Sequence, residues 1–185
     1  PDIHFKLSDF TPLCRYVVFR QVLVVRKDSP YKSFADIIAD AKKRPGQVTA
    51  ATVGAGTQSQ FVVDLIKIYA GVDIASLPYK SGGELIVSVM GGQVGFGSLG
   101  LSPVLGLLQS GDLRALASLN DHERLKGFPN VPTIVELGYP DVNLPSPSAG
   151  YFLPKGAPKP LVDKLAAMFE KVIKNPSLEK KLADA

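Results

Sequence analysis

The stretch AATVGAGTQSQFVVDL, residues 50–65, decides the fold, because a run of small residues leads through two glycines into a helical pattern. Gly54 and Gly56 stand between a predicted strand and a predicted helix. The first turn of a helix has unpaired N–H groups and the positive end of the helix dipole. The loop therefore suits a carboxylate or phosphate, and the alternative is a plain turn capped by Thr57 or Ser59.

The loop is not a nucleoside triphosphate site, because no Lys follows Gly56 as a Walker A motif requires. Strand and helix patterns alternate on both sides of it. Before it, VVFRQVLVV (residues 17–25) is typical of a buried strand, and Ser33 with Asp36 forms a capping box that opens a helix. After it, the strand patterns ASLPY, VGFGSLG and LRALASL alternate with the helix patterns ELIVSVMGG and SPVLGLLQSG.

Such alternation predicts an α/β domain with a parallel sheet covered by helices on both faces. We assign this domain to residues 21–118. The carboxyl ends of parallel strands meet at one edge, where ligands of such folds bind. Loops 52–60, 80–83 and 98–102 should therefore face one crevice.

After Asn120 the sequence changes character and becomes rich in proline and polar residues. A short helical pattern, TIVELG, is followed by a strand-like AGYFLP, a long amphipathic helix, PLVDKLAAMFEKVIKNP, and a final short helix, SLEKKLADA. We therefore expect residues 1–20 and 119–185 to lie outside the α/β domain.

Composition excludes several classes of protein. Hydrophobic residues make up 45% of the chain and charged residues 21%, which is typical of a globular domain. The net charge of +4 comes from scattered Lys and Arg without interleaved aromatic residues, so no nucleic-acid partner is expected. No stretch reaches the roughly 18 apolar residues of a membrane span, so no membrane insertion is expected. The single cysteine, Cys14, excludes an internal disulfide.

The sequence contains no pattern typical of catalysis or of a metal site. The two histidines, His4 and His122, have no metal-ligand spacing to each other, and no catalytic motif accompanies them. We therefore predict that the chain is not an enzyme and holds neither a metal nor a cofactor.

One alternative is a cofactor-binding oxidoreductase. Gly95–Gly100 matches the dinucleotide motif G-x-G-x-x-G, and Asp121 follows at the spacing of a ribose-binding acid. The context argues against NAD, because Gly95 and Gly97 fall inside a strand pattern and the next helix begins later, with Ser102 as its predicted N-cap.

Several motifs in fixed order resemble the Bug/TctC family of extracytoplasmic substrate-binding proteins, which serve tripartite tricarboxylate transporters. These motifs are the GxGT loop, PYKSGGE, MGGQV, SGDLRALA, PNVPTIVELGYP and FLPKGAPKPLVDKL. The resemblance implies a periplasmic-binding-protein fold of type II, a Venus flytrap with parallel-dominated sheets, and a periplasmic location after removal of a signal peptide. The expected partners are a small organic acid (a mono-, di- or tricarboxylate, an acidic amino acid or an aromatic acid) and the membrane subunits of the transporter.

The resemblance also implies one complete lobe, residues 21–118, and part of a second lobe, formed by residues 1–20 and 119–185. The family's N-terminal part, which supplies one of two loops that grip a carboxylate, would lie outside this sequence. We therefore expect these 185 residues alone to bind carboxylates weakly or not at all. A third possibility, a ligand sensor for a membrane kinase, uses the same lobes and differs only in its partner surface.

The other gripping loop of the family maps onto residues 52–60. The resemblance implies ligand contacts from this loop and weaker contacts from an opposite wall. The loop residues are Thr52, Gly54, Ala55, Gly56, Thr57 and Gln60, and the wall residues are Lys80, Ser98 and Gly100. Two departures affect ligand preference: Gln60 replaces a His that is common in the family, and an Asp often found after the GGQV strand is replaced around Leu99.

Overall fold

The computed structural model describes residues 4–119 and 123–178, and the chain forms two compact units. The larger unit is Phe19–Ser146, and the smaller one combines the residues up to Val18 with those from Pro147 onward. The predictions that concern Asp121, His122 and the final helix SLEKKLADA lie outside the described residues or depend on residues outside them.

The described residues contain seven strands and five α-helices. The strands are β1 Phe10–Val18, β2 Gln21–Arg26, β3 Thr49–Thr52, β4 Ala75–Pro78, β5 Phe96–Gly100, β6 Leu113–Ser118 and β7 Ser148–Pro154. The helices are α1 Phe34–Lys43, α2 Gln58–Ala70, α3 Gly82–Met90, α4 Leu105–Gln109 and α5 Lys159–Ile173. Three short 3-10 turns are also present, at Leu7–Asp9, Ser102–Val104 and Pro140–Val142.

The larger unit is built on a five-stranded sheet in the order β4-β3-β5-β2-β6. β3 is parallel to β4 and β5, whereas β2 is antiparallel to its neighbours β5 and β6. Four strands therefore share one direction, as predicted, and β2 is the exception. Its first residue, Gln21, lies beside the end of β5, and Val22 pairs with Ser118 at the end of β6, so the chain enters and leaves the sheet at the same edge.

The predicted strand at residues 17–25 is two strands in the structure. β1 ends at Val18 and β2 begins at Gln21, with Phe19 and Arg20 between them. The two strands belong to different sheets, because β1 pairs with β7 while β2 pairs with β5 and β6. The apolar pattern runs through both strands without a break and therefore did not show the boundary.

Helices cover both faces of the larger sheet, as predicted. Side chains alternate between the two faces of a strand, and on β2 Leu23 and Val25 join one apolar cluster while Val22 and Val24 join the other. All four are completely buried. Burying one such side chain fully contributes about 1.5–3 kcal/mol to stability, so β2 stabilises the apolar clusters on both faces of the sheet.

The segment from residue 123 to Ser146 packs with the larger unit. Thr133 forms a parallel bridge with Ser118, and Ile134 is completely buried in the core. The helix predicted at TIVELG is only one turn, because Gly138 ends it with a left-handed φ of +88°. The boundaries at 20/21 and 118/119 stay predictions for the lobes of a receptor.

The smaller unit consists of a two-stranded antiparallel sheet, β1 with β7, and helix α5. Tyr151 stacks between Tyr16 and Phe169, with ring centroids 5.1 and 4.7 Å apart. None of its described residues is buried, and large apolar side chains such as Phe152 and Met168 are more than half exposed. Within residues 4–119 and 123–178, no helix is long and apolar enough to cross a membrane.

Candidate functional site

A cavity of about 240 Å³ lies within the larger unit, at the edge where β3 and β5 end. It is smaller than the ~300–1,000 Å³ of most small-molecule pockets, so it suits a small ligand or one end of a larger one. Its lining residues are Gln21, Val53, Thr57, Gln58, Ser59, Gly82, Ser98, Leu99, Gly100 and Pro103.

The glycine loop reaches this cavity in a conformation that needs glycine. Gly54 and Gly56 have φ angles of +97° and +77°, in the left-handed region that other residues seldom adopt. The hydroxyl of Thr57 donates to the carbonyl oxygen of Gly54 at 2.7 Å, and Ser59 Oγ accepts from the N–H of Val53 at 2.9 Å. These two bonds hold the loop against the start of α2.

The start of α2 has no side-chain cap, although Thr57 occupies the N-cap position. By contrast, Ser33 caps α1 and Ser81 caps α3, each by accepting from the third residue of its helix. The Thr57 hydroxyl is directed to Gly54 instead. The first turn of α2 therefore presents N–H groups and a positive dipole end beside the cavity.

Several buried polar side-chain atoms around the cavity have no hydrogen-bond partner among the described residues. They are Gln21 Oε1, Thr52 Oγ1, Gln58 Oε1 and Ser98 Oγ. Ser98 is a completely buried lining residue, and Thr52 is completely buried next to the lining residue Val53. Leaving a buried polar group unpaired costs about 1–3 kcal/mol. These atoms are almost inaccessible in this conformation, so a ligand in the cavity would reach them only after their side chains turned.

No lining residue of the cavity ionises. The polar groups that this lining offers to a ligand are therefore backbone amides, hydroxyls and side-chain amides. The largest pKa shifts of the described residues lie away from the cavity, where burial raises the pKa of Tyr31 to about 12 and the Arg44 hydrogen bond lowers the pKa of Asp40 to about 2.

The structure brings only some of the predicted site residues into the cavity wall. Thr57, Ser98 and Gly100 line it, whereas Thr52, Gly54, Ala55 and Gly56 belong to the segment around the lining residues Val53 and Thr57 but do not line the cavity themselves. Two further predicted residues, Gln60 and Lys80, are also absent from the lining. Gln60 donates from Nε2 to Asp64 on its own helix at 2.8 Å, and Lys80 is exposed.

Sequence reasoning missed several lining residues, which are Gln21, Val53, Gln58, Ser59, Gly82, Leu99 and Pro103. Gln58 and Ser59 could have been predicted from the sequence, since they stand in the stretch that identified the loop. Gln21 had a weaker signal, a polar residue at the start of a completely apolar run. Its placement depends on the antiparallel direction of β2, which the pattern did not predict.

The dinucleotide alternative loses its structural basis here. Gly97 lies inside β5 and not in a strand-to-helix turn, and a Cβ there would come within 2.8 Å of Leu85 Cδ2 and 3.0 Å of Val89 Cγ2. This glycine is therefore explained by close packing of α3 on the sheet. The 3-10 turn after β5 begins at Ser102 with Leu101 as N-cap, one residue before the prediction. Asp121 lies outside the described residues.

The part of the chain that the structure describes contains no group of three or more His, Cys, Asp or Glu residues able to hold a metal ion.

Comparison with known proteins agrees with the fold and the resemblance. The TctC model, described as the tripartite tricarboxylate transporter family receptor, matches residues 1–185. The protein BugT of Bordetella pertussis is 37% identical over 164 residues, which cover 88% of this chain and 50% of BugT. The chain spans about half the length of the curated relatives it matches.

Two solved structures show the same architecture. A TctC solute-binding protein from Polaromonas superimposes with a TM-score of 0.82 at 23% identity, covering 98% of this chain and 62% of that one. An R. palustris protein solved with adipate has a TM-score of 0.72 at 29% identity, covering 85% of this chain and 52% of that one. The predicted periplasmic-binding-protein α/β fold is thereby confirmed.

Proposed function

This chain belongs to the tripartite tricarboxylate transporter receptor family, and we propose that it captures a small organic carboxylate as part of a periplasmic receptor. We use "full-length protein" for residues 1–185 together with any further sequence that its gene encodes. The carboxylate binds at the start of α2, against the loop Gly54–Thr57. Its counterparts are backbone N–H groups and hydroxyls.

The observation that carries this proposal is the start of α2 beside completely buried Ser98. The helix has 13 residues and no side-chain cap, and the Ser98 hydroxyl in the same cavity has no partner among the described residues. An anion with several acceptor oxygens would accept from the N–H groups at the start of α2, and it would reach the Ser98 hydroxyl if that side chain turned toward the cavity. The adipate bound by the R. palustris relative is a carboxylate of this kind.

The lining favours binding over catalysis. It contains the hydroxyls of Thr57, Ser59 and Ser98 but no His, Lys, Asp or Glu that could serve as their base. A hydroxyl nucleophile needs such a neighbour. The proposed role is therefore a receptor without enzymatic activity.

Family membership also supports a location and a partner for the full-length protein. Receptors of tripartite transporters deliver their ligand to membrane subunits, and we place this protein in the periplasm with those subunits as partners.

A thermal-shift titration of the full-length protein tests the proposal. The panel contains mono-, di- and tricarboxylates, aromatic acids, acidic amino acids and NAD. A ligand at about 100 times its dissociation constant adds roughly 2.7 kcal/mol of stability, which raises the unfolding temperature measurably. Stabilisation by a carboxylate is the expected result, and stabilisation by NAD alone would overturn the proposal.

A further inference from the structure

The cavity crosses the end of the larger sheet, from the start of α2 to the start of α3. Val62 of α2 packs in one apolar cluster and Leu85 of α3 packs in the other, so the two helices cover opposite faces of the sheet. Gln58, the first residue of α2, and Gly82, the first residue of α3, both line the cavity. A ligand whose carboxylate binds at the start of α2 therefore extends across the ends of β3 and β5.

The two helix starts differ in what they leave open. The start of α2 has no side-chain cap, whereas Ser81 caps α3 by accepting from the N–H of Glu84 at 3.2 Å. The Glu84 carboxylate accepts from the N–H of Lys80 at 3.1 Å, so the first turn of α3 already carries a negative charge. Of these two helix starts, only that of α2 is open to the carboxylate of a ligand.

The wall between the two helix starts is apolar. Val53 follows β3 and Leu99 lies in β5, and both pack in the apolar cluster that contains Val104. Pro103 lines the cavity with them. Most of the accessible surface of the cavity is apolar. The carbon atoms of the ligand that follow its carboxylate therefore lie against apolar groups.

The polar side chains of the lining leave little for a further polar group on the ligand. Thr57 Oγ1 and Ser59 Oγ each already take part in a hydrogen bond with the backbone of the loop. The Ser98 hydroxyl and the side-chain oxygens of Gln21 and Gln58 have almost no accessible surface. The glutamine nitrogens only donate, and hydrogen bonds to a charged carboxylate are stronger than those to a hydroxyl. A hydroxyl next to the carboxylate therefore competes for donors that the carboxylate holds more strongly, and otherwise meets apolar groups.

Resting on the proposed carboxylate site, we propose that this receptor selects organic acids whose carbon next to the bound carboxylate carries no hydroxyl or amino group. A hydroxyl on that carbon loses its hydrogen bonds to water on binding and gains no equivalent partner. A hydrophobic pocket rejects an added hydroxyl by a factor of up to about 100. The ligand class is thus an aliphatic or aromatic acid with an unsubstituted first carbon.

The test compares acids that differ by one hydroxyl group, by calorimetric titration of the full-length protein. The pairs are butyrate with 2-hydroxybutyrate, succinate with malate, tricarballylate with isocitrate, and phenylacetate with mandelate. In the pair that binds most tightly, we expect the acid without the hydroxyl to bind about tenfold more tightly, or more. Equal or tighter binding of the hydroxylated acid in that pair would overturn the inference while leaving the carboxylate site intact.

Variants locate the preference on the apolar wall. Val53→Thr keeps the shape of the side chain and adds a hydroxyl, and we expect it to shift the affinity ratio at least about threefold toward the hydroxylated acid. Pro103→Ser makes the wall polar at an exposed position and should shift the ratio in the same direction. Val87→Thr is the matched control, because Val87 is 67% exposed on α3 and outside the lining, and it should leave the ratio unchanged.

The outcomes separate this inference from the proposed function. A ratio unchanged in both Val53→Thr and Pro103→Ser would contradict the role of the wall. Should none of the eight acids bind, the carboxylate of the thermal-shift panel that does bind decides in the same way. A hydroxyl or ammonium group on its first carbon, as in an acidic amino acid, would overturn the inference alone. Failure to bind any carboxylate would overturn the proposed function, and the inference with it.

Discussion

Gln21 of β2 lies opposite Gly100 of β5, at the edge of the sheet where the cavity opens. The pairing exists because β2 runs against the four other strands of its sheet. It places the first residue of β2 beside the last residue of β5 and in the same lining as the start of α2. The cavity therefore combines residues that are distant in sequence.

Close packing around Gly97 predicts a large effect of a small substitution. In Gly97→Ala the new Cβ would meet Leu85 and Val89, whose side chains are 0% and 1% exposed and have little room to move. Overpacking of this kind costs about 1–3 kcal/mol. We expect urea denaturation to show that loss of stability.

Gly106→Ala is the matched control, because a Cβ at Gly106 meets nothing within 4 Å and the residue lies in helix α4. Alanine is preferred to glycine in a helix by about 1 kcal/mol, so this variant should be as stable as the wild type or slightly more stable. A Gly97→Ala protein as stable as the Gly106→Ala protein would contradict the packing explanation.

The hydrogen bond from Tyr31 to Asp40, 2.7 Å long, predicts a loss of stability at alkaline pH. Burial raises the pKa of Tyr31 to about 12, and the bond to Asp40 adds to the shift. Between about pH 10 and 12 the unfolded chain loses the Tyr31 proton while the folded chain retains it. This contribution is complete below pH 10 and is lost as the pH rises through 12.

Tyr31→Phe should remove that alkaline slope, and the difference in unfolding free energy between wild type and variant from pH 8 to 12 measures it. Tyr69→Phe is the control, since Tyr69 is half exposed. An identical slope in wild type and Tyr31→Phe would show that Tyr31 does not titrate differently in the folded chain.

The 185 residues by themselves should bind carboxylates poorly. Each hydrogen bond to a charged group contributes about 1.5–3 kcal/mol, whereas association costs roughly 4–15 kcal/mol in lost freedom. Two or three amides at the start of α2 barely balance that cost. Calorimetry that gave a micromolar dissociation constant for residues 1–185 alone would refute this expectation.

Local signals in the sequence were sufficient for much of the fold. Ser33 and Asp36 predicted the capping box of α1, which the structure contains. The direction of β2 had no such signal, because a strand buried on both faces has the same apolar run in either direction. The break at Phe19 and Arg20 was hidden for the same reason.

In the candidate site, too, residues with a local sequence signal were predicted and residues placed by strand pairing were not. Thr57 belongs to a local loop whose glycines show in the sequence, and it lines the cavity. The ligand contact of Gln60 stays a prediction, and in this structure its amide donates to Asp64, one helical turn later. Gln21 lines the cavity because β2 pairs with β5 in a register that a single sequence does not reveal.

The most direct test of the central claim is a calorimetric comparison of Gly56→Asp with Gly56→Asn in the full-length protein. The titrant is the carboxylate that stabilises the wild type most. Both residues tolerate the left-handed backbone of Gly56, and a Cβ there meets nothing within 4 Å, so the variants differ mainly in charge. Two like charges 4 Å apart repel by about 1–4 kcal/mol near a protein surface. We predict that Asp weakens binding at least about tenfold relative to Asn, and equal affinities of the two variants would show that the loop is only a turn.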